Sequence, residues 1–228
     1  SAALTQYGVM YGGGAGAAPS ATAHRLAAAK QHGSIDVIGP LGTPFSYPTK
    51  LTNCLLVSEG LGSASMHFLA QDLRTNGKRV DMVVGATTQD EIFKIIDGKR
   101  LSAAITIVTA DGSAGERGEI ADVLAGAVDE GRIEVIYAAG PRRMLHAVAR
   151  FCAERRIPSQ IAVDAAMACG TGLCFTCVVP IAERDGVGFQ HLRACTEGPV
   201  FNPARVLWER WLGPEDLAEP SATGEEER

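Results

Sequence analysis

Four of the six cysteines stand at spacings that can do chemistry. Cys169, Cys174 and Cys177 follow the pattern C-x4-C-x2-C, and Cys195 comes after seventeen intervening residues. Three thiolates on one loop, with a fourth returned from later sequence, is the plant-type spacing for a [2Fe–2S] cluster, where four sulfurs hold two irons. Such a loop must wrap closely around its metal. Gly170 and Gly172 suit that wrap, because they accept positive φ and let backbone N–H groups turn toward sulfur. Zinc on the same four thiolates is the competing reading. Zinc ribbons, however, use two C-x2-C pairs, and Cys195 has no cysteine partner two residues away. Plain buried thiols are the third reading. Cys54, just before an apolar strand, and Cys152, inside a helical stretch, fall outside the pattern and are expected to be core thiols.

The elements around this loop set its position. Residues 178–188 read as a hairpin turning at Asp185-Gly186, which returns the chain to Cys195. Upstream, strands and helices alternate as in parallel α/β domains. Strands are expected at 55–57, 80–84, 105–108, 133–137 and 161–163. Helices are expected at 63–76, 88–96, 118–129 and 141–156, the last with Pro141 at its start. Glycines stand where strands end, as in nucleotide-binding sheets. Before this region, residues 12–16 are glycine-rich, 21–30 read as a short helix and 35–38 as a short strand. Pro44 and Pro48 interrupt regular structure in the following loop. Residues 202–212, with Trp208 and Trp211, read as a terminal helix, and the Glu-, Pro- and Ser-rich stretch from Gly213 onward reads as a disordered tail.

Composition limits the function classes. The chain has 228 residues, is 46% hydrophobic and carries a net charge of −5. An acidic chain lacks the basic surface that nucleic-acid binding needs. No apolar run reaches the ~18–20 residues of a membrane helix, and no signal peptide is evident, so the expected compartment is the cytoplasm. The five histidines are scattered and read as surface or helix residues, not ligands. Arg142-Arg143 and Arg155-Arg156 read as solvated helix faces, with a nucleotide phosphate or a partner as the alternative for the first pair.

Several stretches together resemble one family: residues 35–42 (IDVIGPLG), 109–118 (TADGSAGERG), 137–141 (YAAGP), the cysteine loop and 195–201 (CTEGPVF). They occur in the order found in the electron-transfer subunit of class 1B dihydroorotate dehydrogenase. The flavin subunits of NADH-dependent ferredoxin:NADP oxidoreductase and of sulfhydrogenase-type complexes are relatives of it. The resemblance implies an α/β, ferredoxin-reductase-like architecture with a flavin β-barrel, a parallel-sheet NAD(P)-binding-type domain and a small C-terminal [2Fe–2S] domain. It divides the chain into a truncated barrel remnant at 1–48, the nucleotide-type domain at 49–163, the cluster domain at 164–212 and the tail at 213–228. It also implies FAD and NAD(P)H beside the cluster, and a catalytic oxidoreductase subunit as partner in a hetero-oligomer. Cys169, Cys174, Cys177 and Cys195 become the cluster ligands, and Gly60, Gly62, Gly85, Asp111 and Gly140 the nucleotide-site residues.

Three departures from the family pattern bear on the nucleotide. The stretch before the sheet is short for a barrel and lacks its Arg-x-Tyr-Ser-type flavin motif. The glycine loop after the first strand reads SEGLGSAS at 58–65, where Glu59 either repels a pyrophosphate or caps the following helix. The family's cysteine before Gly-Pro is Ala139. Residues 11–19 (YGGGAGAAP) read either as a flexible segment or as a phosphate-binding turn. Two functions follow: an NAD(P)H- and FAD-linked electron-transfer subunit, or an iron–sulfur relay or structural subunit with vestigial nucleotide sites. A zinc-stabilised nucleotide-binding regulator is the third.

Overall fold

The apolar run of β1 (Asn53–Glu59) is buried from Cys54 to Ser58, which requires cover on both faces. The computed structural model describes residues 38–213 together with Ala28, Lys30 and Asp216. The glycine run at 12–16, most of the expected 21–30 helix and 35–38 strand, and the tail after Gly213 apart from Asp216 lie outside the described residues.

β1 is central in a seven-stranded sheet with β2 (Arg79–Ala86), β3 (Ala104–Thr109), β4 (Glu116–Arg117), β5 (Val135–Gly140), β6 (Ser159–Val163) and β9 (Val200–Phe201). The order is β4-β3-β2-β1-β5-β6-β9. All neighbours run parallel except β9, which pairs antiparallel with β6 through Ile161↔Phe201 and Ala162↔Val200. Because β1 lies between β2 and β5, the winding reverses there. Its carboxyl end, with that of β5, forms the crevice where open α/β sheets take ligands.

Side chains alternate across β1, so its two faces build two cores. Cys54 and Leu56 pack with Met66, Leu69 and Leu73 of α1 (Gly62–Thr75). Leu55 and Val57 pack on the other face with Leu124 of α3 (Ile120–Gly131) and Leu145 and Val148 of α4 (Arg142–Arg155). That second core continues without a break to Cys177, Val179, Ile181 and Cys195, so the cysteine segment rests on the sheet's own hydrophobic layer. Its scaffold is the hairpin of β7 (Val178–Ala182) and β8 (Phe189–Arg193), paired from Val178↔Arg193 to Ala182↔Phe189. At the hairpin tip Gly186 has φ 73° and the Asp185 carboxylate accepts from Val187 N–H at 3.1 Å.

Two expected helices take other forms. The 88–96 stretch is a single 3-10 turn, Gln89–Glu91, followed by α2 (Ile95–Leu101). The break lies at Ile92, which is extended, and Lys94, which is left-handed at φ 42°. The Glu91 carboxylate, accepting from Thr87 N–H at 3.1 Å, turns back onto the strand end instead of continuing a helix. The 202–212 stretch is a 3-10 turn, Pro203–Arg205, then α5 (Trp208–Trp211). Between them Val206 forms an isolated bridge to Ile181, which takes the backbone out of helical geometry.

Candidate iron–sulfur site and nucleotide crevice

The hairpin brings distant cysteines together. Cys177 stands immediately before β7 and Cys195 shortly after β8, and Ala194 N–H donates to the Cys177 carbonyl at 2.8 Å. Both are buried, whereas Cys169 is half-buried and Cys174 exposed. Their sulfurs fall into two neighbouring pairs, Cys169 with Cys174 and Cys177 with Cys195. In the outer pair, Thr171 N–H donates to Cys169 Sγ at 3.4 Å and the Thr176 hydroxyl to Cys174 Sγ at 3.1 Å. Thr171 N–H is the largest cause that brings the Cys169 thiol down to about 5, with Cys174 contributing next. The Thr176 hydroxyl leads in lowering Cys174. Burial and then the Cys177 sulfur raise Cys195, opposed by Gly172 N–H and the Thr196 hydroxyl.

Donors already directed at sulfur are what a thiolate-ligated cluster requires. No three cysteine, histidine, aspartate or glutamate side chains among the described residues converge on the position of one ion. Two neighbouring pairs are compatible with two irons that take two thiolates each. A further feature fits such a group. The Thr196 hydroxyl lies buried near Cys195 Sγ but completes a hydrogen bond with no described group. An orphaned donor of this kind costs about 1–3 kcal/mol, and cluster sulfur next to Cys195 would accept from it. Gly172 keeps the approach tight, since a Cβ there would stand 3.0 Å from Thr196 Cγ2. Cys54 and Cys152, outside the pattern, are buried core thiols, and burial pushes Cys54 up to about 11.

The nucleotide-site residues fall in different places. Gly60 is left-handed at φ 56° beside open space, in the turn between β1 and α1. Gly62 starts α1 against the Ala139 carbonyl of β5. A cavity of about 280 Å3 opens at the carboxyl ends of β1, β2 and β3, lined by Glu59, Gly85, Thr87, Glu119, Arg143 and Met144 among others. Gly85 is thus on its wall, pressed against Ile120, while Gly140 packs under Met144. Asp111 lies outside the cavity, in the turn after β3, where its carboxylate accepts from Ser113 N–H at 2.9 Å and Ser113 Oγ at 2.6 Å. Those Ser113 hydrogen bonds hold Asp111 below the usual carboxylate range.

The capping reading of Glu59 does not hold. The α1 N-cap is Leu61, and no side chain caps the helix. Glu59 instead faces the cavity with Glu119 and Arg143, which pair at 2.9 Å. Burial foremost, then Glu119, raises Glu59, with Arg143 opposing. Arg142 also departs from a solvated face. It donates to the Trp211 carbonyl at 3.3 Å, lies 4.9 Å over the Trp211 ring and approaches Asp216 at 3.8 Å. The sequence marks Thr196 and Glu197 within the 195–201 stretch without giving them a role and leaves Arg193 unmarked; their signal is proximity to Cys195, which acquires meaning only once the turn around it is known.

A parallel sheet with a switch-point crevice, joined through one core to a four-cysteine hairpin unit, defines a ferredoxin-reductase-like protein with an iron–sulfur segment. Residues 164–207 match the iron–sulfur cluster binding domain of dihydroorotate dehydrogenase B. The chain is 35% identical over 185 residues to the dihydroorotate dehydrogenase B (NAD(+)) electron transfer subunit of Shouchella clausii, covering 80% of this chain and 69% of that one. It is 30% identical over 177 residues to the Desulforamulus reducens counterpart, covering 77% and 66%. This chain therefore belongs to the family of dihydroorotate dehydrogenase B electron transfer subunits, and it spans about two thirds of the length of the curated relatives it matches. Among solved structures, a chain of the NADH-dependent reduced ferredoxin-NADP oxidoreductase is similar at a TM-score of 0.68 and 28% identity, covering 87% of this chain and 72% of that one.

Proposed function

We propose that this chain is the electron-transfer subunit of a multi-subunit oxidoreductase, linking NAD(P)H and FAD to a catalytic partner subunit through a [2Fe–2S] cluster. The observation that carries this reading is the placement of Cys169, Cys174, Cys177 and Cys195 around the base of the β7–β8 hairpin, inside the segment that matches an iron–sulfur cluster binding domain. A nicotinamide exchanges two electrons together, a [2Fe–2S] cluster exchanges one, and a flavin can do both, so the three groups supply a complete relay when bound. The chain's own residues hold and orient. The buried Cys177 and Cys195 would hold the cluster against the sheet's core, and the exposed Cys174 would hold it on the side a partner can approach.

Gly60, Gly62, Gly85, Asp111 and Gly140 are the proposed nucleotide-site residues, within a nucleotide-type unit at 49–163 preceding the cluster unit at 164–212. The N-terminus of α1 at the switch point supports this, because no side chain caps it and the helix dipole there favours an anion. Four cysteines kept as cluster ligands and not as disulfides fit a reducing compartment, which supports the cytoplasm. Among the described residues no helix is long and apolar enough to cross a membrane.

A second reading, a relay that binds no nucleotide, is favoured by one observation: Glu59 and Glu119 both line the crevice cavity. One experiment separates the two. Iron and acid-labile sulfide are assayed in the anaerobically purified complex, visible spectra are recorded, and NADH is then added. About two irons and two sulfides per chain, with flavin bands that bleach on NADH addition, support the full reading. Cluster bands without bleaching support the relay. Absence of iron and sulfide, or full transfer activity in an iron-free Cys174→Ala protein, rejects both.

A further inference from the structure

We propose that Arg193 and Glu197 act in opposite directions on the reduction potential of the cluster, Arg193 raising it and Glu197 lowering it, so that the intact ion pair holds the two effects in balance. The inference rests on the [2Fe–2S] reading above. Arg193 ends β8 two residues before Cys195, and Glu197 follows Cys195 by two. The Glu197 carboxylate accepts from Arg193 N–H at 2.7 Å and from Arg193 Nε at 3.0 Å, so the pair folds back across the turn that carries Cys195. The other end of the guanidinium reaches the opposite limb of the site. Nη1 donates to the Gly172 carbonyl at 3.1 Å, and Cζ stands 5.0 Å from the centre of the Phe175 ring. Gly172 and Phe175 lie on either side of the Cys174 segment. One side chain thus bridges the two limbs that carry the thiols.

Electrostatics gives the sign. Reduction adds a negative charge to a group that four thiolates already make anionic. A fixed cation beside it stabilises the reduced form and a fixed anion the oxidised form. As a pair, Arg193 and Glu197 largely cancel; alone, each acts in full. Their side chains are 30% and 35% exposed, so solvent and salt attenuate the effect without removing it. A clamp with no electrostatic role behaves differently. Loss of either partner would then loosen the same turn, and the two changes would act in the same direction.

The test is a reductive titration of the cluster, followed by electron paramagnetic resonance, in the intact complex. It compares wild type, Arg193→Gln, Glu197→Gln and the double variant, each at low and high salt. Arg193→Gln is expected to lower the reduced-to-oxidised ratio at fixed potential by about three- to tenfold, tenfold being about 59 mV for one electron. Glu197→Gln raises it by a similar factor, the double variant returns to within about twofold of wild type, and high salt shrinks both shifts. Arg193→Lys, which keeps the charge but not the fork, stays near the wild-type potential and covers the case in which Arg193→Gln fails to load a cluster. Shifts of the same sign, a double variant that does not cancel, or no shift overturn the proposal while leaving the cluster reading intact. A wild-type complex with no cluster signal overturns both.

Discussion

Gly170 and Gly62 are both glycines in loops that sequence alone assigns to cofactor binding, yet they occupy opposite physical situations. Gly170, in the cysteine loop, has φ 68° with nothing within 4 Å of where a Cβ would stand. Gly62 has ordinary backbone angles, but a Cβ there would overlap the Ala139 carbonyl and come within 2.8 Å of Gly140 N. The loop glycine is needed for conformation, and the glycine at the start of α1 for close approach of helix to strand. The same contrast extends to the other residues of each region. In the loop, Thr171 N–H and the Thr176 hydroxyl point at sulfur, so the polar groups face a future ligand. At the carboxyl ends of the central strands, Gly85 and Gly140 face Ile120 and Met144, so packing already explains them. A glycine pattern at a strand end is therefore weaker evidence for a nucleotide than a cysteine spacing is for a cluster.

Substitution separates the two situations, and the largest effect belongs to Gly62. Gly62→Ala sets a methyl group against backbone that cannot move aside, and overpacking of this kind costs about 3 kcal/mol. For a chain of this size that lowers Tm by roughly 6–12 °C, readable by thermal denaturation. Gly170→Ala costs about 1–2 kcal/mol, the penalty for a left-handed L-residue, and leaves the cluster spectrum unchanged because the space beside it is open. If the two variants lost equal stability, or if Gly170→Ala abolished cluster loading while Gly62→Ala was tolerated, the contrast would fail.

Much of this architecture was legible in the sequence where burial imposes a period or a run. The continuous apolar stretches of β1, β2 and β5 mark strands buried on both faces, and the four-cysteine spacing marks the site. The break within 88–96 was not legible, because neither Gly nor Pro stands there; it comes from Glu91 turning back to Thr87 N–H and from the left-handed Lys94. β9 was missed for another reason. Two residues, Val200 and Phe201, carry no periodicity, and their strand exists because the exposed edge of β6 accepts them. In the site, spacing gave the thiols but not their pairing. The roles of Arg193, Glu197 and Thr196 depend on a turn that folds residues 172 and 197 toward each other, which no local pattern reports.

The smallest predicted effect sharpens the nucleotide side of the comparison. Burial and the neighbouring Glu119 raise Glu59 above its usual range despite Arg143, so the folded state favours its protonated form. A carboxyl with a raised folded pKa contributes stability that is complete below its unfolded value and is lost as pH rises through the folded value. At neutral pH the ionised group is therefore a cost, which Glu59→Gln removes. The variant should be more stable than wild type by about 0.5 kcal/mol at pH 7.5. The gap should close by about pH 4, near the ordinary glutamate value, where both side chains are neutral. Thermal denaturation across that range reads it directly. If the variant were instead less stable at pH 7.5, with the gap closing on acidification, the Arg143 attraction would outweigh burial and Glu119. The cavity would then hold a satisfied ion pair network, which argues for a structural role at this edge of the sheet. If the variant is more stable and also binds NADH more tightly, the wild-type carboxylate is a brake on an anion site, and the crevice keeps its nucleotide geometry despite its charge.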